Sequence, residues 1–160
     1  MKFHFDGHTY TLTSSVQELI NNGWDFDPDY LKETNSLESM HKTYTTIPLL
    51  NSKYSDSDVR VALINKTSET KNFSECTFCN INISNDWIDT PVEFSLPGGI
   101  KNGSTLAEIE QVYGKPDEDS IYRSESLKYY SYTYEKGDVL LELTIYDDKG
   151  LTEFNFKYYG

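Results

Sequence analysis

A chain of 160 residues with a net charge of −12, 37% apolar residues and an aromatic set of 13 Tyr, 8 Phe and 2 Trp has enough bulky side chains to bury a core without disulfide staples. Its 14 Lys and Arg are scattered against 26 Asp and Glu, which excludes nucleic acid and anionic membrane as expected partners, because phosphate binding needs clustered cations. No run approaches the ~18 consecutive apolar residues of a membrane span, so no membrane insertion is expected.

Phe3 and Phe5 alternate with polar residues, and Asp6-Gly7 before a second short strand near 9–12 predicts a hairpin. Ser15 with Glu18 three residues on, an apolar face of Val16, Leu19 and Ile20, and Gly23 beyond them predict a helix over 15–22 opened by a capping box. Residues 25–39 read as a polar loop with a helical turn. Strands follow at about 41–50, 57–65 and 76–84, separated by Asn, Ser, Asp and Lys clusters. Residues 85–91 form a connector ending at Pro91. The order then returns: a strand over 92–96, a turn at Pro97-Gly98-Gly99, and a helix over 105–113 opened by Thr105 and Glu108 and closed by Gly114. Strands near 121–135, 138–147 and 151–159 complete it, joined by glycine turns at 135–138 and 147–150. This predicts an α+β fold of two tandem helix-plus-three-strand repeats, 1–85 and 86–160, sharing one antiparallel sheet with the helices on one face.

The period of two assigns the faces. Leu141, Leu143, Phe154 and Phe156 fall in inward rows, and Glu142, Tyr146, Glu153, Lys157 and Tyr159 point outward. Leu127 and Tyr129 as inward anchors would place Lys128, Tyr130, Tyr132 and Tyr134 outward as well. An outward surface of tyrosines interleaved with charges of both signs suits protein recognition, since Tyr offers large area at low entropic cost. Cross-strand stacking for stability would use the same residues.

The stretch Leu96-Pro97-Gly98-Gly99-Ile100-Lys101-Asn102-Gly103-Ser104-Thr105, running through Ile109 to Tyr113-Gly114-Lys115-Pro116-Asp117, resembles the repeat of small bacterial envelope lipoproteins, including those that accompany outer-membrane barrel assembly. The shared element is a Gly-Ser/Thr helix start with an aromatic-Gly-x-Pro stop some ten residues on. The tandem helix-plus-strand order over nearly the whole chain is similar to the β-lactamase inhibitor protein fold. The resemblance implies non-enzymatic binding through an uncovered sheet face. The inhibitor's paired disulfides have no counterpart here and no lipidation cysteine stands near Met1, so its target is not carried over.

Residues with chemical potential lack partners. His4, Asp6 and His8 flank one turn and could offer three metal ligands, while His41 stands alone. Asp25-x-Asp27-x-Asp29 resembles the opening of a calcium loop, but Tyr30 and Ser36 occupy the positions where glycine and glutamate are required. Cys76 and Cys79 sit three apart on a strand, on opposite faces, with no nearby cation to stabilise a thiolate. Glu142 and Glu153 could neighbour one another without a pocket to raise either pKa. The expectation is therefore a protein-binding module without cofactor, metal or catalytic residues. The expected partner is a protein, and a basic one would suit the charge, because residues 86–160 hold fifteen acidic against seven basic side chains. An acidic immunity or inhibitor protein facing a basic toxin or enzyme is the alternative, and a small hydrolase or metal-binding protein using His4, His8 or the 25–29 loop is a further one. Met1 as a native start would imply the cytoplasm, and a preceding export signal the envelope or exterior.

Overall fold

The computed structural model describes residues 2–31 and 35–160. The strands are β1 (Lys2–Phe5), β2 (His8–Thr11), β3 (Asp25–Phe26), β4 (Ser36–Leu37), β5 (Ile47–Asn51), β6 (Tyr54–Ile64), β7 (Lys71–Asn72), β8 (Thr77–Ser84), β9 (Phe94–Ser95), β10 (Ile121–Ser124), β11 (Tyr129–Lys136), β12 (Val139–Tyr146) and β13 (Gly150–Tyr158), with helices α1 (Val16–Asn21) and α2 (Leu106–Tyr113). Among the described residues they form an eight-stranded sheet in the order β10-β11-β12-β13-β8-β6-β5-β3, a three-stranded sheet β2-β1-β9 and a two-stranded pair β4-β7. Every ladder is antiparallel. The architecture is thus mainly antiparallel sheet with few helices, compatible with the α+β class.

Local chemistry sets the turns and caps. Asp6 and Gly7 both take positive φ, 47° and 77°, as a two-residue hairpin of primed type requires. At α2 the capping box forms: Thr105 N–H donates to Glu108 Oε2 at 2.7 Å and Glu108 N–H donates to Thr105 Oγ1 at 3.3 Å. At α1 the expected box is only half made, because Ser15 Oγ accepts from Gln17 N–H instead. Gly150 (φ 72°) lets β13 start against the α2 entry loop, where a Cβ would come within 2.4 Å of the Gly103 carbonyl oxygen.

The core lies between the sheets. Phe3 of β1 meets Phe78, Phe154 and Phe156 at centroid distances of 6.4, 6.0 and 5.8 Å, and Phe94 of β9 meets Phe154 at 4.9 Å. Leu143, Phe154 and Phe156 are fully buried and Leu141 nearly so, as the alternation predicts. Both helices feed the same layer through Val16, Leu19 and Ile109, and each fully buried aromatic or aliphatic side chain contributes about 1.5–3 kcal/mol. Helices and small sheet therefore cover one face of the large sheet.

Four expectations change. The strand expected over 121–135 is two strands, β10 and β11, separated by a turn in which Lys128 has φ 57° and Leu127 is 58% exposed. The strand expected over 41–50 shortens to β5, and the one over 92–96 to β9, which pairs with β1 across the chain's midpoint. The loop over 25–39 contains β3 and β4, its residues 32–34 lying outside the described residues.

Candidate binding face

The other face of the large sheet carries side chains that are half-buried or exposed along its middle rows. Register defines those rows. Thr133, Glu142, Asn155, Asn82 and Arg60 lie opposite one another across five strands. Ser131, Thr144, Glu153, Ser84 and Asp58 form the next row, and Tyr129 pairs with Tyr146 in a third.

Amides and carboxylates tie the rows together. Asn80 Nδ2 donates to Asn155 Oδ1 at 2.7 Å, and Asn155 Nδ2 donates to Glu142 Oε2 at 2.8 Å, which also receives Lys157 Nζ at 2.7 Å. Arg60 Nε donates to Asp58 at 2.7 Å and Lys149 Nζ to Asp86 at 3.2 Å. Glu153 is the exception, because among the described residues its carboxylate receives only the Asn82 amide, at 2.7 Å. Burial pushes the Glu153 carboxyl above the usual range, and the charges of Asp58, Asp86 and Glu142 add to that rise against the Asn82 bond. The middle of this face is an acidic region in which, among the described residues, the Glu153 carboxylate lacks a cation.

One end of the face is aromatic. Tyr122 and Tyr129 rings lie 6.1 Å apart, and Tyr129 and Tyr146 5.3 Å apart. Beyond them Trp87 is 84% exposed with φ 63°. Its place is fixed by the preceding Asn85, whose side chain accepts from Val92 N–H at 2.8 Å, donates to Val92 O at 2.9 Å, and so clamps the 85–92 connector.

The structure divides the residues expected to face outward. Glu142, Tyr146, Glu153 and Lys157 share this face, and Tyr159 is exposed at the end of β13. Tyr130, Tyr132 and Tyr134 do not belong to it. They pair with Ile145, Leu143 and Leu141 and point into the core, Tyr132 donating to Glu110 Oε1 of α2 at 2.6 Å and Tyr134 to the Gly114 carbonyl at 2.8 Å. Lys128 lies in the turn before β11 and pairs with Glu125 at 3.3 Å. The reversal arises because Leu127, taken as an inward anchor, belongs to that turn. Tyr122, Tyr129 and Trp87 are the aromatics that sequence reasoning missed. The polar row Tyr129, Ser131, Thr133, Glu135 beside the aromatic row 130, 132, 134 was the signal that could have found the face.

The other candidates are dispersed. Asp6 is turned into the structure, accepting from Trp24 Nε1 at 3.2 Å, Tyr54 Oη at 2.7 Å and Lys53 Nζ at 2.7 Å, while His4 Nδ1 bonds Thr9 Oγ1 at 2.7 Å on the exposed side. Burial opposes the Asp6 charge, but the bonds from Lys53, Tyr54 and Trp24 and the Lys53 charge outweigh it and hold the carboxyl below the usual range. Asp25 and Asp27 bond nearby backbone N–H groups in their own loop. Cys76 and Cys79 are buried free thiols pushed upward in pKa by burial, with Cys76 joining the apolar core. Among the described residues no group of three His, Cys, Asp or Glu is placed to hold a metal ion, and no helix is long and apolar enough to cross a membrane. Comparison of the chain with family models, with curated proteins and with solved structures returns no match.

Proposed function

We propose that the chain is a non-enzymatic binding module that docks a basic protein on the open face of its large sheet. The observation that carries this reading is the union, on one face, of an aromatic end (Tyr122, Tyr129, Tyr146, Trp87) with an acidic middle in which, among the described residues, Glu153 has no cation. Exposed clustered aromatics are uncommon without a partner, and central tyrosines and tryptophans dominate binding energy where they are used. A net charge of −12 would accelerate the encounter with a basic protein and make it salt-dependent. An immunity or inhibitor protein that neutralises a basic toxin or enzyme is the alternative form of this role, which the same acidic charge would suit. The reading of the chain as two tandem helix-plus-strand units is supported by strand order, because β10, β11, β12 and β13 lie on one side of the β13·β8 junction and β8, β6, β5 and β3 on the other. It also keeps the likeness to the β-lactamase inhibitor protein fold, which uses its sheet for binding.

The test is capture of basic partners by wild type beside a Tyr129→Ala, Tyr146→Ala variant whose melting temperature is checked first. A partner retained by wild type, lost from the folded variant and released by added salt supports the reading. Equal retention by both proteins refutes it.

A further inference from the structure

Resting on that docking role, we propose that Asp86, Trp87 and Tyr146 form a recognition site for an arginine of the basic partner, closed in the free protein by the chain's own Lys149. Lys149 Nζ lies 4.5 Å from the Trp87 ring centroid and 4.9 Å from that of Tyr146, while bonding Asp86 Oδ1 at 3.2 Å. Tyr146 Oη donates to the other carboxylate oxygen, Asp86 Oδ2, at 2.5 Å. Burial, then that bond and the Asp86 charge, push the Tyr146 hydroxyl upward in pKa, so it stays a donor. Two aromatic rings and one carboxylate thus converge on a point where a cation already sits.

Trp87 has no evident structural reason to be there. It is 84% exposed and held at φ 63°, a region that bulky residues rarely adopt and that concentrates at functional sites when it occurs. Lys149 is an exposed residue of the turn before β13, so it can leave without disturbing the core. A guanidinium fits the vacated place better than an ammonium, because it stacks flat on a ring while its fork reaches the carboxylate. Displacement exchanges one surface cation for another at the same groups. The partner's arginine gains in addition the acidic field of Asp58 and Glu153 beyond the site.

Hexa-arginine amide at low ionic strength is the probe, and Trp87 is its reporter, since Trp24 is fully buried. Lys149→Gln should tighten binding about fivefold by removing the resident cation. Lys115→Gln makes the same charge change beyond the C-terminus of α2 and should stay within about twofold of wild type. Hexa-lysine should gain less than hexa-arginine from Lys149→Gln, and Trp87→Ala, followed by calorimetry, should cancel the gain. The proposal is overturned if the two glutamine variants behave alike, if hexa-lysine gains as much, or if the Lys149→Gln protein shows no saturable binding. Should Lys149→Gln have no effect while Tyr129→Ala still weakens the peptide, the docking face stands and this site falls; if neither variant matters, both fall.

Discussion

Replacing Tyr132 by alanine should destabilise the fold strongly and say nothing about the binding face. The side chain is 2% exposed, lies opposite Leu143, and its ring centroid sits 5.9 Å from Tyr130 and 6.3 Å from Tyr134. A tyrosine ring buries roughly 200 Å², which at about 25 cal/mol per Å² gives an upper figure of about 5 kcal/mol. Measured aromatic-to-alanine truncations in cores fall at about 3–5 kcal/mol. For a chain of this size that lowers the melting temperature by roughly 6–20 °C. Tyr132→Phe keeps the ring and removes only the bond to the Glu110 carboxylate, so it should cost about 1.5–3 kcal/mol, the range for a hydrogen bond to a charged group. Urea melts of both variants beside Tyr129→Ala, which lies on the open face, are the assay. Tyr129→Ala should cost about 1 kcal/mol or less in stability and about 2 kcal/mol or more in partner binding, with Tyr132→Phe binding normally. A Tyr132→Ala loss below about 1 kcal/mol would refute the inward placement of the 130, 132, 134 row.

Asp6→Asn should lower the melting temperature at neutral pH. The Asp6 carboxyl is held below its ordinary value of 3.8, so its contribution is present above that pH and lost as pH falls through the lower native value; the gap between wild type and variant should narrow only in acid. Glu153→Gln has the opposite sign. The Glu153 carboxyl is raised above 4.5, so its ionisation destabilises the fold as pH rises through the native value; the variant should melt higher than wild type at pH 7, match it in acid, and bind a basic partner more weakly. Gly150→Ala should cost more than Gly137→Ala in thermal melts. Both glycines have positive φ, worth about 1–2 kcal/mol to an alanine, but only at Gly150 does a Cβ also meet backbone, at 2.4 Å from Gly103 O.

Legibility in the sequence follows the range of the forces. The Asp6-Gly7 hairpin, the Thr105–Glu108 capping box and the glycine turns at 137 and 150 are made by neighbours in sequence, and each stands in the structure where residue chemistry puts it. The rows of β12 and β13 were readable because Leu141, Leu143, Phe154 and Phe156 alternate with unambiguous polar residues. In β11 tyrosines occupy both rows, so composition does not say which faces the core; the pairing with β12 decides, and that contact is between strands. Trp87 was illegible for a related reason. A tryptophan in a polar connector reads as a buried anchor or as nothing, and only the Asn85–Val92 clamp, set against Thr152 of β13 through the Asn85 N–H at 2.8 Å, fixes it beside the sheet. The order of eight strands depends on β8 meeting β13, a contact between distant parts of the chain.

The two faces of the large sheet differ in what their residues do for stability. Inward, polar atoms let aromatic rings be buried: the Tyr132 hydroxyl reaches Glu110 so that its ring can fill the layer under α2, and the Asp6 carboxylate satisfies Trp24 and Tyr54 so that both rings can be buried. Outward, the arrangement works against the folded state. Glu153 is held half-buried among like charges, and Trp87 holds its ring in water at a positive φ. Each feature costs free energy in the isolated protein, and each would be relieved by a cation arriving from outside, which neutralises the carboxylates and stacks on the indole. A sheet that needed only solubility could carry lysine and glutamate in alternating pairs, as Lys157 with Glu142 already does. Among the described residues the departure from that pattern lies at Glu153, which faces the charges of Asp58 and Asp86 with no cation of its own, and at Trp87, and it is there that the free energy gained on binding a basic partner should concentrate.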